Sequence, residues 1–425
     1  MTHYFCCCPF VVSSVRTFFH KHHHLTICQH FGKKIVFLCV GFRTASKQHS
    51  LHFPFSPPMK RNPNRVLVGM SGGVDSSVAA ALLVEQGYEV IGITIKTYKY
   101  EDVGGNVGND SSCCSLDGIN DARRVCMTLG IPHYTVDFTD VFKKNVIDYF
   151  IDSYMSGDTP NPCVKCNRLI KWKEMLKKAD ALGAEYVSMG HYAYVRQNEE
   201  TGRYYISRGD DTRKDQSYAL WGLQQESLAR TIFPLSGFTK EKSRAEAARF
   251  GLSIASKPES YEICFVADNN YKRFLRDNVQ SFDEKMQGGK LVLDGEVIGE
   301  HQGFAHYTVG QRKGLGVSHP EPLYVLNVVA DTNTVVVGRD EDLLTDGLHA
   351  HSLNMMKYEH LREGRDCTVK IRYKDNGEDA FCQTDDNGNL TVRFHSPRRA
   401  VTPGQSVVLY DGNDVIGGGI IAGKL

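Results

Sequence analysis

The sequence predicts an α/β protein: an N-terminal doubly wound parallel sheet, a small, mostly helical central domain and a C-terminal β-barrel. Three observations predict it. The apolar run Arg65-Val66-Leu67-Val68-Gly69-Met70 passes through a glycine- and serine-rich turn, Ser71-Gly72-Gly73-Val74-Asp75-Ser76-Ser77, into an alanine- and leucine-rich stretch ending at Gly87, which is the order strand, loop, helix. From Arg65 onward apolar strands alternate with helical patterns, the rhythm of a parallel sheet with helices on both faces. Beyond Gly289 short strands separated by turn dipeptides take over, the pattern of a small barrel.

In order, Val66–Gly69 reads as a strand and Ser77–Gln86 as a helix closed by Gly87. Glu89–Ile95 is a strand. Asp117–Leu129 is a helix capped by Asp117 and ended by Gly130 and Pro132. His133–Phe138 is a strand, Phe142–Tyr154 a helix, Ile170–Leu182 a helix ended by Gly183, and Glu185–Met189 a strand. Lys96–Ser115, containing Gly104-Gly105, and Ser156–Arg168 read as long irregular stretches, which in compact domains are usually functional or disordered. The rhythm breaks near residue 209. Residues 217–285 read as mostly helical, as in Ser243–Phe250 and Asn270–Asp277. The strands that follow are Lys290–Leu293, Thr334–Val337, Thr368–Tyr373, Leu390–Phe394 and Ser406–Tyr410. Turns fall at Asp294-Gly295, Asp346-Gly347, Asn376-Gly377, Asn387-Gly388 and Asp411-Gly412. The expected division is an extension over 1–60, the sheet domain over 61–218, a central domain over 219–288 and the barrel over 289–425. No internal repeat is visible.

Length and composition agree with this reading. A chain of 425 residues calls for two or three domains, and 41% hydrophobic with 23% charged residues is ordinary for a soluble globular protein. No apolar run of about 18 residues is present, so no membrane span is predicted. The net charge of +1 hides a split. Residues 1–60 hold five Lys, two Arg and no acidic residue, or +7, which leaves 1 − 7 = −6 on the rest. A nucleic-acid partner would therefore be held by local basic patches. Five of the 13 cysteines (Cys6, Cys7, Cys8, Cys28, Cys39) lie in the first segment. The others include a C-x-x-C pair, Cys163 and Cys166, which in an α/β chain suggests reduced, working thiols in a cytosol-like compartment. The first 58 residues are Cys- and His-rich, with His22-His23-His24 and with Pro54, Pro57 and Pro58 before Met59. They read as a disordered tail, as a transit peptide that would send the chain to an organelle such as the mitochondrion, or as sequence upstream of a true start at Met59.

The loop at residues 71–77 carries the first chemistry. It exposes backbone N–H groups and hydroxyls at a helix N-terminus, where phosphate oxygens bind well. It is not a Walker A loop, because no lysine closes it. Ser-Gly-Gly-x-Asp-Ser instead resembles the pyrophosphate loop of enzymes that split ATP into AMP and pyrophosphate, carried on an adenine nucleotide alpha hydrolase-like domain. The second group is Asp158-Thr159-Pro160-Asn161-Pro162-Cys163-Val164-Lys165-Cys166-Asn167, with Gly190-His191-Tyr192, Lys214-Asp215-Gln216-Ser217-Tyr218 and Glu262-Ile263-Cys264-Phe265. Together with the loop, in this order, these motifs resemble the tRNA-specific 2-thiouridylases, which place sulfur on C2 of the wobble uridine of tRNA, position 34. The likeness runs from about Arg65 to the C-terminus.

The resemblance implies roles. Gly69, Met70, Ser71, Gly72, Gly73, Val74, Asp75 and Ser76 would hold the phosphates of ATP, with Ile95 and Gly190 beside the adenosine. Asp75 would help coordinate Mg²⁺, which prefers oxygen ligands. Asn161, Pro162 and Cys163 would contact the target base, Pro160 and Pro162 stiffening their loop. The uracil C2 oxygen, a poor leaving group, would be adenylated and then displaced by sulfur. Cys264 would carry that sulfur as a persulfide from a donor protein, and Cys166 would release it, leaving a Cys166–Cys264 disulfide. Lys165 and Arg168 are adjacent cations able to lower a thiol pKa. His191, Lys214, Asp215, Gln216, Arg372, Tyr373 and Gln405 would contact tRNA, and the helix around Trp172 with Lys171, Lys173, Lys177 and Lys178 presents a basic face. His191 could be a general base or a base-stacking contact, and reads equally well as a packed core residue. Cys126, Cys367 and Cys382 read as inert core thiols.

The chain has Cys163 where some members have Asp, so a carboxylate for proton handling is missing there. Three thiols leave open a [4Fe-4S] cluster on Cys163, Cys166 and Cys264, and C-x-x-C with Cys113 and Cys114 leaves open a zinc site. Two other functions remain open beside ATP-dependent tRNA thiolation. One is an AMP-forming ligase or amidotransferase with the same loop, the other a non-enzymatic zinc or RNA-binding module.

Overall fold

The computed structural model describes strands within residues 16–37, then residues 60–98, 116–258, 263–266 and 268–425. Cys6, Cys7, Cys8, Cys39, His22, Met59, Gly104-Gly105, Cys113, Cys114 and Glu262 lie outside the described residues. The chain divides into two units, 1–57 and 58–425. In the first, β1 (Arg16–His20), β2 (His23–His30) and β3 (Lys33–Phe37) form an antiparallel sheet, where the sequence leaves the segment out of the fold.

Among the described residues the second unit holds three sheets. Its strands are β4 (Asn62–Gly69), β5 (Glu89–Lys96), β6 (His133–Asp137), β7 (Ala184–Ser188), β8 (Ala193–Gln197), β9 (Tyr204–Arg208) and β10 (Thr231–Ile232). There follow β11 (Gly289–Leu293), β12 (Glu296–His301), β13 (Tyr324–Val329), β14 (Thr334–Gly338), β15 (Leu344–Met355), β16 (Arg365–Lys370), β17 (Glu378–Thr384), β18 (Leu390–Arg399), β19 (Ser406–Asp411) and β20 (Asp414–Lys424). The first sheet is parallel throughout, in the order β10-β7-β4-β5-β6. Alternate residues of a strand face opposite sides, and β4 shows it. Val66 and Val68 pack with Val78, Leu83, Ala122 and Val125 of the helices Val74–Glu85 and Leu116–Thr128. Leu67 packs on the other face with Trp172, Met175 and Leu176. The sheet is thus covered on both faces.

The residues after Gly289 form two β units. The smaller sheet has the order β12-β11-β14-β13. The larger closes on itself through β15-β18-β17-β16-β19-β20 and back to β15, and β9 and β8 extend it from β20. Cys367 and Cys382 are buried inside this barrel, and Cys126 is buried on its helix, as expected.

The structure corrects several local expectations. Residues 156–168 are not irregular throughout: a helix starts at Pro162, whose missing N–H costs nothing at a first helical position, and runs with a π-helical stretch at Cys166–Glu174 to Ala181. Cys163 and Cys166 therefore sit on a helix. The helix expected over 142–154 starts at Thr139 and is likewise interrupted by π-geometry at Lys143–Ile147. Asp117 lies in the first turn of its helix and does not cap it. Asp346-Gly347 is no turn; it lies within β15 at a register shift. β16 ends at Lys370, so Arg372 and Tyr373 stand beyond the strand. Residues 193–208, placed in the sheet domain by sequence, form a hairpin that joins the barrel sheet.

Trp172 is fully buried and donates its indole N–H to Thr231 Oγ1 at 2.7 Å, which ties the Cys166 helix to edge strand β10. Thr231→Val keeps the shape and removes the acceptor. It is expected to lower unfolding free energy by about 1–3 kcal/mol in urea titrations with the parallel sheet intact.

Candidate active site

The phosphate-type loop leaves β4 at the carboxyl end of the parallel sheet, where such folds bind ligands. Its first residue is fixed to the neighbouring strand: Met70 N–H donates to Ile93 O at 2.8 Å, and Thr94 Oγ1 donates to Met70 O at 2.9 Å. Ser71 N–H donates to Ser76 Oγ (3.2 Å), Gly73 N–H to Ser71 Oγ (3.3 Å), and Ser77 Oγ to Gly73 O (2.8 Å). These bonds stiffen the loop and leave the first-turn N–H groups of Val74–Glu85 facing out of the helix end.

Two glycines hold the cradle open. Gly72 has φ +71°, and a Cβ there would lie 2.1 Å from Gly118 O. A Cβ on Gly190 would lie 2.5 Å from the Asp75 carbonyl carbon and 2.6 Å from Ser76 N. Backbone therefore packs on backbone at both points, and the donor set fits the triphosphate of a nucleotide. Ile95, on β5, packs between the two core clusters.

Asp75 Oδ1 accepts from Lys240 Nζ (2.6 Å) and from Tyr192 Oη (2.7 Å), which also bonds Ser243 Oγ. Sequence reasoning missed Lys240. It also missed Lys257, whose Nζ lies 3.1 Å from Gly72 O and 2.5 Å from Asp121 Oδ2. Neither lysine belongs to a motif; only the fold brings them to the loop.

The thiols come next. Cys166 and Cys264 are half-buried, and both pack against one apolar cluster that includes Phe142, Phe150, Ile170 and Phe265. Phe265, next to Cys264, meets Phe150 edge-on at 5.2 Å. Tyr98, Ile95 and Phe138, at the carboxyl ends of β5 and β6, border the same cluster. The two thiols thus share a cluster with the strand that anchors the loop. Cys163 is accessible, and crowding around its sulfur pushes the thiol pKa up, with only the Lys171 charge opposing. Lys165 lies 4.8 Å over the Tyr149 ring, and burial and Arg168 lower its pKa. Among the described residues no group of three or more His, Cys, Asp or Glu is placed to hold a metal. The cluster considered for Cys163, Cys166 and Cys264 is therefore not assembled, and the zinc alternative rests on Cys113 and Cys114, outside the described residues.

The residues expected to meet RNA are brought together in two places. Asp215 accepts from Ser217 N–H and Oγ, and the Tyr373 hydroxyl donates to Asp215 O at 3.1 Å, so the 214–216 and 372–373 turns abut. Arg372 is exposed and donates to Arg399 O, while Gln216 Oε1 accepts from Tyr192 N–H. Gln405 Nε2 donates to Thr159 O (2.8 Å) and Pro160 O (3.3 Å), just ahead of Asn161 and Pro162. His191 stands apart. It is buried between Trp172 and Phe233, with ring centroids at 5.4 and 5.6 Å, and its Nδ1 has no hydrogen-bond partner among the described residues.

The chain is similar to known proteins over most of its length. Residues 64–268 match the sequence family model described as tRNA methyl transferase HUP domain, 272–339 its PRC-barrel domain, and 345–421 the aminomethyltransferase beta-barrel domain. The tRNA-specific 2-thiouridylase MnmA of Salinibacter ruber is 52% identical over 359 residues, covering 84% of this chain and 94% of that protein. The chain belongs to the tRNA-specific 2-thiouridylase family. Its counterpart from Amoebophilus asiaticus is 50% identical over 84% of this chain and 95% of its own length. Among solved structures, a 4-thiouridine synthetase–RNA complex with bound ATP covers half of each chain at 18% identity and a TM-score of 0.30.

Two outcomes are expected. Gly72→Ala, strained by its φ and by the Gly118 carbonyl, should weaken ATP binding at least tenfold by calorimetry. Burial, with the Lys171 charge adding to it, holds the His191 pKa well below its ordinary 6.5. The unfolded chain therefore takes up the proton first as pH falls, and stability present above pH 6.5 is lost below it. His191→Asn should flatten that dependence in urea titrations at pH 7.5 and 5.5.

Proposed function

We propose that this chain is an ATP-dependent tRNA-uridine 2-sulfurtransferase acting on the wobble uridine. The observation that carries the reading is the placement of two thiols, Cys166 and Cys264, on the apolar cluster bordered by the strand that anchors the phosphate loop. Membership of the thiouridylase family supports it further.

The chemistry follows from the groups at hand. The loop N–H groups at the helix end bind the triphosphate. Mg²⁺, when bound, would screen phosphate charge, with Asp75 the carboxylate nearest the loop; Lys240 and Tyr192 fix its other contacts. The uracil C2 oxygen attacks the α-phosphorus of ATP and pyrophosphate leaves. Cys264 carries the terminal sulfur of a persulfide, supplied by a cysteine desulfurase or sulfur-relay protein. That sulfur attacks C2, AMP departs with the former C2 oxygen, and the Cys166 thiolate takes the Cys264 sulfur to give a disulfide and the 2-thiouridine. A reductant then restores both thiols. Asn161, Pro162 and Cys163, at the start of the Cys166 helix, would contact a flipped base. Tyr373, Arg372 and the 214–216 turn offer stacking and phosphate contacts. A methyl transfer, which the family model's description names, would leave the phosphate loop and the paired thiols without a task.

Cys166→Ser and Cys264→Ser are each expected to abolish 2-thiouridine formation, read by nucleoside mass analysis, while pyrophosphate release on adenylation of unmodified tRNA continues. An AMP-forming ligase would keep its full activity in both variants, and persistence of thiolation would overturn the reading.

A further inference from the structure

The loop of Ser71–Ser77 lacks the lysine that closes a Walker A loop. The fold supplies a cation at that place from elsewhere. Lys257 follows the helix Lys240–Arg249 and a turn in which its own N–H donates to Ile254 O at 2.9 Å. Arg244, on that helix, clamps the segment by donating to Ala255 O (2.6 Å) and Lys257 O (3.1 Å). The side chain is thus aimed by a built backbone. Its Nζ reaches the Gly72 carbonyl at 3.1 Å and the Asp121 carboxylate at 2.5 Å. An ammonium has three donors, and two are used here. Lys257 retains 24% side-chain exposure, against 13% for Asp121.

We propose that Lys257 is the phosphate-binding lysine of this loop: it contacts the terminal phosphates of ATP, the part that leaves as pyrophosphate. The inference rests on the reading of residues 69–76 as an ATP cradle. Gly72 lies between Ser71 and Gly73 in the cradle, so an ammonium hydrogen-bonded to its carbonyl is within a rotamer change of a phosphate held on the neighbouring N–H groups. Asp121 holds the charge in place when no phosphate is present. On binding, the phosphate oxygens take over from the carboxylate as partners of the same ammonium. Lys240, the other lysine at the loop, is bonded to Asp75 and only 10% exposed, against 24% for Lys257.

The test uses the full chain and titration calorimetry with three ligands: ATP, inorganic pyrophosphate and AMP. Lys257→Ala and Lys257→Gln should each weaken ATP and pyrophosphate about tenfold or more, the loss of one charge-assisted contact. AMP, which lacks the terminal phosphates, should bind as in the parent. Gln keeps a donor for the Gly72 carbonyl, so it keeps the test open if the alanine variant does not fold. Equal weakening of ATP and AMP in the Gln variant would make Lys257 a structural prop of the loop and overturn the proposal, as would unchanged ATP binding. Failure of the parent chain to bind ATP would instead sink the cradle itself.

Discussion

Backbone packed directly on backbone is the constraint on which the site depends. At Gly72 the carbonyl of Gly118 occupies the space of a side chain, and at Gly190 the Asp75–Ser76 peptide does. These contacts press the loop and the first turn of Val74–Glu85 between the next helix and the end of β7. The N–H groups of that turn then converge outward without a side chain in front of them. The helix end and two lysines bring positive charge to the loop. The carboxylates Asp75 and Asp121 keep that charge from standing uncompensated.

The rest of the molecule is arranged around the carboxyl ends of β4, β5 and β6. The Cys166 helix covers one face of the sheet through Trp172, Met175 and Leu176. The segment just before it abuts the barrel: Thr159 N–H donates to Pro403 O at 2.9 Å, and a Cβ on Gly404 would lie 2.9 Å from Asp158 Cβ. The π-helical stretch at Cys166–Glu174 shifts the register of side chains within this one helix. Within that stretch Ile170 packs in the cluster shared with Cys264, while Trp172, two residues on, packs against the sheet.

Much of this was legible in the sequence, for physical reasons. β4 and β5 are buried on both faces, so their apolar runs are continuous and their ends well marked. The glycine loop could be read because its residues act locally. What could not be read was non-local. The hairpin β8–β9 has ordinary strand character, and only pairing with β20 assigns it to the barrel. The helix at Pro162 was hidden because two prolines within three residues look like a loop, although a proline at a first helical turn is favourable. Arg372 and Tyr373 continue the apparent alternation of β16 but leave it where Asp375 accepts from the Ile371 N–H. Lys240 and Lys257 carry no motif, since a flexible cation is placed by the backbone that holds it. His191 was balanced between two readings; in this structure it is buried between Trp172 and Phe233.

Gln405 shows how the barrel and the thiol helix are coupled. The sequence assigns it to RNA, yet its amide donates to two successive carbonyls, Thr159 and Pro160, immediately before Asn161. Tyr373, likewise assigned to RNA, spends its hydroxyl on Asp215 O and sets its ring 6.1 Å from that of Tyr218, whose own hydroxyl donates to Ser406 O. Ser406 is the neighbour of Gln405 at the start of β19. The side chains on the proposed RNA face are therefore joined by short bonded paths to the segment that begins the Cys166 helix. An RNA that drew either donor away would release part of the clamp on Asp158–Pro160, and the energy at stake is that of one or two hydrogen bonds, about 1–3 kcal/mol. That is enough to shift a positioned segment about tenfold in population. The barrel and the segment that leads into the Cys166 helix are thus held together by side-chain hydrogen bonds.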